Sequence, residues 1–385
     1  MNFDLTPEQE EFRAVVREFA LEVVAPGAAD RDEREEFPLE VVKRMGDLGL
    51  FGLPFAEELG GSDADTVTFC LAIEELGRVD QSVGITLSAA VGLGGGMIDH
   101  FGTREQKERW LAPICRGELF ASFALTEPGG GSDAAAVRTA ARLDAGEWVI
   151  EGSKAIITNS GTPLTGVHVV AAATEPGGGK RGISTFLVPA DASGLTVEPS
   201  YRKLGWRSSD THGLAFQGCR VPGDALLGER GGGFRQCLAI LQGARISIAA
   251  LSVGLAQACL DASVAYATER RAFGAAIGSY QMVQAKIADM HAAVEAARLL
   301  TYRAAWLRDQ GRDHVAAAAA AKLVASEAAV AAAREAVQIH GGYGFIEEFP
   351  VARFYRDAKV LEIGEGTSEI QRLILARELG LPETI

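Results

Sequence analysis

Three long stretches, about 231–269, 279–310 and 313–340, contain no internal proline and are rich in alanine and leucine. Runs of that length and apolarity fold as helices that bury several sides against one another. Six consecutive alanines at 316–321 mark a seam where two backbones approach closely, because small side chains hold neighbouring helices apart least. The C-terminal part, 229–385, is therefore expected to be a helical bundle domain.

The other two parts differ in texture. From Thr6 to about Gly117 the pattern is helical. Thr6-Pro7-Glu8-Gln9 combines a capping threonine, a proline at the first helical position and a glutamine three residues after the cap. Phe12, Val15, Val16, Phe19 and Val23 follow at helical spacing, and Thr103-Arg104-Glu105-Gln106 repeats the capping pattern before Trp110, Leu111 and Ile114. From about Glu118 to Gly228 the apolar runs are short (148–150, 167–170, 186–188, 214–216), with Gly, Pro, Asn and Asp between them. That spacing predicts an antiparallel β-sandwich or barrel. The fold class is α+β, with an all-α domain over 1–117 and a middle β-domain over 118–228.

At 385 residues the chain exceeds one ordinary core, in keeping with three parts. The formal net charge of −14 argues against nucleic acid as a partner. No segment reaches eighteen uninterrupted apolar residues, so no membrane span is expected. The start, MNFDLTPEQEEF, is acidic and lacks a charged-then-apolar leader, so no secretion signal is expected. Five scattered cysteines predict free, mostly buried thiols in a reducing cytoplasm, and the six histidines show no metal-ligand spacing. No strand–GxGxxG–helix unit occurs, so a nucleotide cofactor would have to be held without a Rossmann domain.

Five stretches carry chemistry. Residues 363–372 read IGEGTSEIQR. Glu365 stands between two glycines that let it approach a ligand closely, and Thr367 is placed to cap the helix that follows. The same pattern also suits an ordinary turn before a terminal helix. Residues 125–133, LTEPGGGSD, offer Gly129, Gly130 and Gly131 as a nest of inward N–H groups, with the Ser132 hydroxyl beside them. A flexible β-turn is the other reading. Thr158, in ITNSG, is a donor for the edge of a heterocycle. Residues 269–274 and 338–344 end two of the long runs. Their arginines and glycines serve either as helix caps or as contacts for a phosphate or a flat cofactor.

Taken in order, LTEPGGGSD, KAIITNSG (154–161), KLGWRSSDT (203–211), CRVP, LLGERGGGF, ERRAFG, QIHGGYG, RDAK and EGTSEIQR make the chain resemble the acyl-CoA dehydrogenase family of flavoproteins over nearly its whole length. The resemblance implies an N-terminal helical domain, a β-domain and a C-terminal four-helix bundle. It also implies FAD between the last two, a site completed by a neighbouring subunit of a homodimer or homotetramer, and an electron-transferring flavoprotein as acceptor. By position, Phe123, Leu125, Thr126, Gly131, Ser132, Ile156 and Thr158 would hold the flavin and pyrophosphate, and Thr367 and Glu369 would meet the dinucleotide. Arg270, Phe273, Gln281, Gln338, Gly341 and Gly342 would reach the other subunit's FAD.

Ser132, Gln242, Arg245, Gly364 and Gly366 would adjoin the acyl-CoA. Glu365 falls on the catalytic base. The alternative position of some relatives, just before Arg245, holds Ala244. The implied reaction is α,β-dehydrogenation to the trans-2-enoyl-CoA, the thioester oxygen being stabilised by the Glu365 N–H and a ribityl hydroxyl. Oxidase, desulfinase and carrier-protein variants of the fold stay open. Two departures stand out: Ile156 where many members place an aromatic ring, and Gly364 where several have tyrosine.

Overall fold

A computed structural model describes residues 4–175 and 177–382. The N-terminal helices are α1 (Pro7–Phe19), α2 (Ala28–Arg34), α3 (Leu39–Asp47), α4 (Thr66–Val79), α5 (Gln81–Ser88), α6 (Gly96–Phe101), α7 (Arg104–Gln106) and α8 (Ala112–Cys115). Both capping boxes form. The Thr6 hydroxyl accepts from the Gln9 N–H at 3.2 Å while the Gln9 side chain accepts from the Thr6 N–H at 3.1 Å, and Thr103 and Gln106 repeat the exchange. Between α5 and α6, residues 89–95 widen into a π-helical turn where the glycines cluster. An added Cβ on Gly94 would lie 2.0 Å from the Ala121 carbonyl oxygen, so a strand passes directly against the helix backbone there.

The strands are β1 (Phe120–Ala124), β2 (Ala140–Asp144), β3 (Glu147–Thr158), β4 (Thr165–Ala173), β5 (Ile183–Pro189), β6 (Leu195–Val197), β7 (Thr211–Pro222) and β8 (Leu226–Leu227). Their order is β6-β7-β3-β2-β4-β5-β8, with β1 also on β4. The sheet is antiparallel except that β1 runs parallel to β4 and β2 meets β4 in parallel at one residue pair. Parallel neighbours need a long crossover. Here the 125–139 loop and the β2–β3 hairpin supply it in place of a helix. β4 is buried on both faces: Val167, Val169 and Ala171 face the helical core, while Val170 and Ala172 join Trp148, Phe186 and Phe216 in a second core inside the β-domain.

The bundle contains α9 (Gly233–Glu269), a small hairpin of β9 (Arg271–Ala272) and β10 (Ala275–Ala276), then α10 (Gln281–Asp309), α11 (Val315–His340), α12 (Pro350–Leu361) and α13 (Ser368–Glu378). The bundle's fourth limb is thus two helices separated by a turn. α11 packs along α9, with Ala318, Ala319, Ala321 and Ala325 buried at the seam the alanine run predicted. All five cysteines are free and buried. Charged groups tie the three parts together. The Arg356 guanidinium meets Asp32 at 2.6 Å, Arg207 meets Glu35 at 2.8 Å, and the Trp206 N–H donates to Asp357 Oδ1 at 2.6 Å. Burial pushes the Asp357 carboxyl up to about 7.

Average apolarity along the helices is a broader measure than the uninterrupted run on which the expected absence of a span rests. Three helical stretches, Gln81–Phe101, Gly233–Glu269 and Val315–Phe345, are long and apolar enough on average to cross a membrane. A search for uninterrupted apolar runs passes over them because polar or charged residues interrupt each one. The protein interior accounts for the apolarity of the first two, whose most apolar windows are 94% and 78% buried, whereas the third is 44% buried.

Candidate functional site

The turn between α12 and α13 carries Glu365 at φ +54° and Gly366 at φ +94°. A non-glycine residue there stores strain, and such strain gathers where a side chain must be aimed. Thr367 caps α13, its hydroxyl accepting from the Ile370 N–H at 3.3 Å. The Gly366 carbonyl accepts from the Gln371 side chain and from Lys322 Nζ, each at 2.8 Å. The two flanking glycines have different reasons to be glycine. Gly366 needs it for its backbone, and an added Cβ would lie 2.8 Å from Gln371 Nε2. Gly364 has no positive φ, and its Cβ would meet nothing nearer than the Val360 oxygen at 3.6 Å, so its missing side chain leaves room.

The Glu365 carboxylate keeps some contact with the surface, yet enough protein surrounds it that burial raises its pKa, opposed by Lys322 and then Arg245. Among the described residues no hydrogen bond or close ion pair occupies its oxygens, and its own N–H has no backbone acceptor. Arg245, on α9, is buried with its Nε unpartnered among the described residues; burial lowers its pKa and Glu365 pulls it back up. Gln242 lies one turn before it on the same helix face, and Ala244 between them is buried. A carboxylate with free lone pairs, raised basicity and cations nearby is equipped to take a proton from a carbon acid.

On the β-domain, Phe123 lies in β1, and Leu125, Thr126, Gly131 and Ser132 follow in the loop beyond it, Gly131 and Ser132 exposed. The loop is not the nest expected. None of Gly129, Gly130 and Gly131 has positive φ, and the Gly130 N–H is spent on the Glu127 carbonyl at 3.0 Å. The glycines instead leave open space, with no atom within 4 Å of an added Cβ at Gly129 or Gly130. Glu127 anchors the loop. Its carboxylate accepts from the N–H groups of Arg138 (2.8 Å) and Thr139 (2.9 Å) and from buried Lys154 Nζ (2.7 Å). Both members of this pair stand inside the quoted motifs. The clue was that an acid in an anion-binding loop would repel its ligand unless a cation neutralised it.

Ile156, in β3 between Lys154 and Ile157 where the register shifts, has φ +59° and is 66% exposed. A β-branched residue in that conformation is an outlier, and here it presents an apolar side chain outward from a strand. Thr158 ends the strand. The Asn159 side chain donates to the Thr86 carbonyl at 3.0 Å, tying the strand end to α5.

Glu369, in the first turn of α13, is exposed. A second group lies elsewhere. Arg270 caps the C-terminus of α9 and its guanidinium sits 5.4 Å from the Tyr343 ring centre. Phe273, in the β9–β10 hairpin, is 98% exposed at φ +51°. Gln281 opens α10, and Gln338, Gly341 and Gly342 close α11. Arg270, Gly341, Gly342 and Tyr343 line an open groove of about 580 Å³, floored by Tyr266 stacked on His340 at 4.2 Å. At 1.5 Å per residue, Arg270 stands about 37 Å along α9 from Arg245. This group therefore does not share a local site with Glu365 in the same chain.

An adenine dinucleotide with a flat ring fits what is present: hydroxyls at Thr126, Ser132 and Thr158, open glycine surfaces, an outward apolar residue at Ile156, and a capped helix start whose Ser368 hydroxyl is buried without a partner among the described residues. Sequence reading passed over Lys322, the one charge in 315–326, as part of the alanine seam. A lone lysine within an apolar helical run was the available signal.

Comparison with known proteins gives a consistent result. Residues 6–118, 122–219 and 231–380 match, respectively, the N-terminal, middle and C-terminal domains described as acyl-CoA dehydrogenase. A probable acyl-CoA dehydrogenase of Bacillus subtilis, YngJ, is 49% identical over 98% of this chain and 100% of its own length. The bovine mitochondrial short-chain specific acyl-CoA dehydrogenase is 46% identical over 98% of this chain and 91% of its own. Butyryl-CoA dehydrogenase from Megasphaera elsdenii superposes with a TM-score of 0.96 at 39% identity, over 98% of this chain and 100% of that one.

Proposed function

Because the chain belongs to the acyl-CoA dehydrogenase family, FAD-dependent oxidoreductases acting on CH–CH groups, we propose that it oxidises a short acyl-CoA thioester to the trans-2-enoyl-CoA with Glu365 as the base. The single observation that carries this reading is the free, raised carboxylate of Glu365 on its left-handed turn.

Glu365 takes the proton from Cα. Bound FAD supplies the acceptor for the hydride that leaves Cβ. The free N–H of Glu365 donates to the thioester oxygen, where negative charge builds up. Burial of the carboxylate raises its basicity, as a proton acceptor needs, and Lys322 and then Arg245 oppose that rise. Phe123, Leu125, Thr126, Gly131, Ser132, Ile156 and Thr158 hold the flavin and pyrophosphate, and Thr367 and Glu369 meet the dinucleotide at the start of α13. Gln242, Arg245, Ser132, Gly364 and Gly366 border the thioester.

The 37 Å offset along α9 supports assigning Arg270, Phe273, Gln281, Gln338, Gly341 and Gly342 to the FAD of a neighbouring subunit in a dimer or tetramer. The 44% burial of the most apolar window of Val315–Phe345 is in keeping with such a neighbour. Several relatives named short-chain specific favour a short acyl group, and the space beside Gly364 admits a branch near Cα. Electrons then pass to an electron-transferring flavoprotein in the cytoplasm.

The test is anaerobic bleaching of the bound flavin by straight and branched acyl-CoA thioesters. Wild type bleaches with a short thioester, and Glu365→Gln stays yellow. Bleaching of Glu365→Gln at the wild-type rate, or none in wild type with any thioester, refutes the assignment.

A further inference from the structure

Two buried lysines have different surroundings. Lys154 sits 2.7 Å from the Glu127 carboxylate, whereas Lys322, equally buried on α11, makes its hydrogen bond to the Gly366 carbonyl and has no ion pair within 4.0 Å among the described residues. Burying an ammonium without a contacting carboxylate is costly. A glutamine would satisfy a carbonyl without that cost, so the charge itself calls for a role. The carbonyl it holds belongs to the residue after Glu365, in the strained part of the turn, and the second donor to that oxygen is Gln371 from α13. Donors from two helices thus converge on one peptide and hold the backbone that aims the base.

We propose that Lys322 is a positioning residue for Glu365: it clamps the left-handed turn through the Gly366 carbonyl, and its charge keeps the carboxylate ionised and ready to accept a proton. This rests on reading Glu365 as the base. The charged groups facing the pair are Arg245 from α9, Glu362 at the end of α12 and Glu369 on α13. Of the two cations that oppose the effect of burial on Glu365, Lys322 is the stronger. Burial pushes its own pKa down to about 8, with Glu365 foremost among the groups that pull it back. Removing the positive charge leaves the carboxylate less stabilised, so Glu365 must hold its proton to a higher pH.

The test reads Glu365 directly. In substrate-free holoenzyme, the infrared carboxyl band present in wild type and missing from Glu365→Gln is followed across pH. Lys322→Met and Lys322→Gln, the second of which keeps a donor for Gly366, are expected to raise the midpoint by about one pH unit or more. Lys322→Arg returns it toward the wild-type value. The acid limb of kcat/KM, measured with a short acyl-CoA, moves upward in parallel. Neutral variants that retain flavin and titrate with the wild-type midpoint would overturn the proposal and leave Lys322 a purely structural tether. Glu365→Gln that still bleaches its flavin sinks the assignment of the base instead, while the infrared midpoint still reports whether the two groups are coupled.

Discussion

Glu127→Ala tests the anchor beneath the 125–139 loop. It strips buried Lys154 of its contacting carboxylate and leaves the ammonium facing only the Leu125 carbonyl at 3.2 Å. One-sided removal of a buried pair costs about 3–5 kcal/mol. The Thr139 N–H loses its acceptor in a buried setting, adding about 1 kcal/mol. Together these amount to roughly 4–6 kcal/mol, which for a chain this long lowers Tm by about 5–10 °C. Lys154→Met in the same chain removes the stranded charge, so the double variant should recover at least half of the loss. Scanning calorimetry with excess FAD measures the melting, and fluorescence of released flavin reports whether the loop still holds its ligand. If Glu127→Ala melts within a degree or so of wild type, or the double variant melts below the single, the claim that this pair anchors the loop is wrong.

Three further outcomes are expected. Gly366→Ala places a Cβ at φ +94° and 2.8 Å from Gln371 Nε2, so stability falls by about 1–3 kcal/mol. The displaced base should also lower kcat at least tenfold, read by steady-state dye reduction. Gly364→Tyr fills the space beside the base, so branched thioesters should lose more kcat/KM than straight short ones; equal losses would show that this space does not select substrate. Asp357 has its folded pKa raised to about 7 by burial, with Arg353 opposing. Because the folded pKa lies above the unfolded one, its relative contribution to stability is fully present below about pH 4 and lost as pH rises through 7. Asp357→Asn should flatten that slope by an amount on the order of a few kcal/mol, seen as a pH-dependent difference in urea midpoint from wild type.

Local rules made much of this molecule legible. Capping threonines at 6, 103 and 367 mark helix starts because a hydroxyl satisfies an N–H three residues away, a contact fixed by neighbours in the chain. The absence of proline from 223 to 349 permits the long helices, and the short apolar runs between turn residues become strands. The ordered motifs were enough to single out Glu365 and to name the residues proposed around FAD.

Tertiary structure decided the rest. Nothing within a few residues of Ile156 or Glu365 requires a left-handed backbone; the packing of β3 and of the α12–α13 turn imposes it. Lys322 reaches Gly366 across 44 positions of sequence, and Glu127 meets Lys154 across 27, so neither pairing leaves a local pattern. A carboxylate's basicity belongs to the same class. Hydrogen-bonding and steric preferences act over one turn of chain, whereas desolvation and Coulomb forces depend on whichever groups the whole fold brings near, and here burial raises the pKa of Glu365 against the pull of two cations.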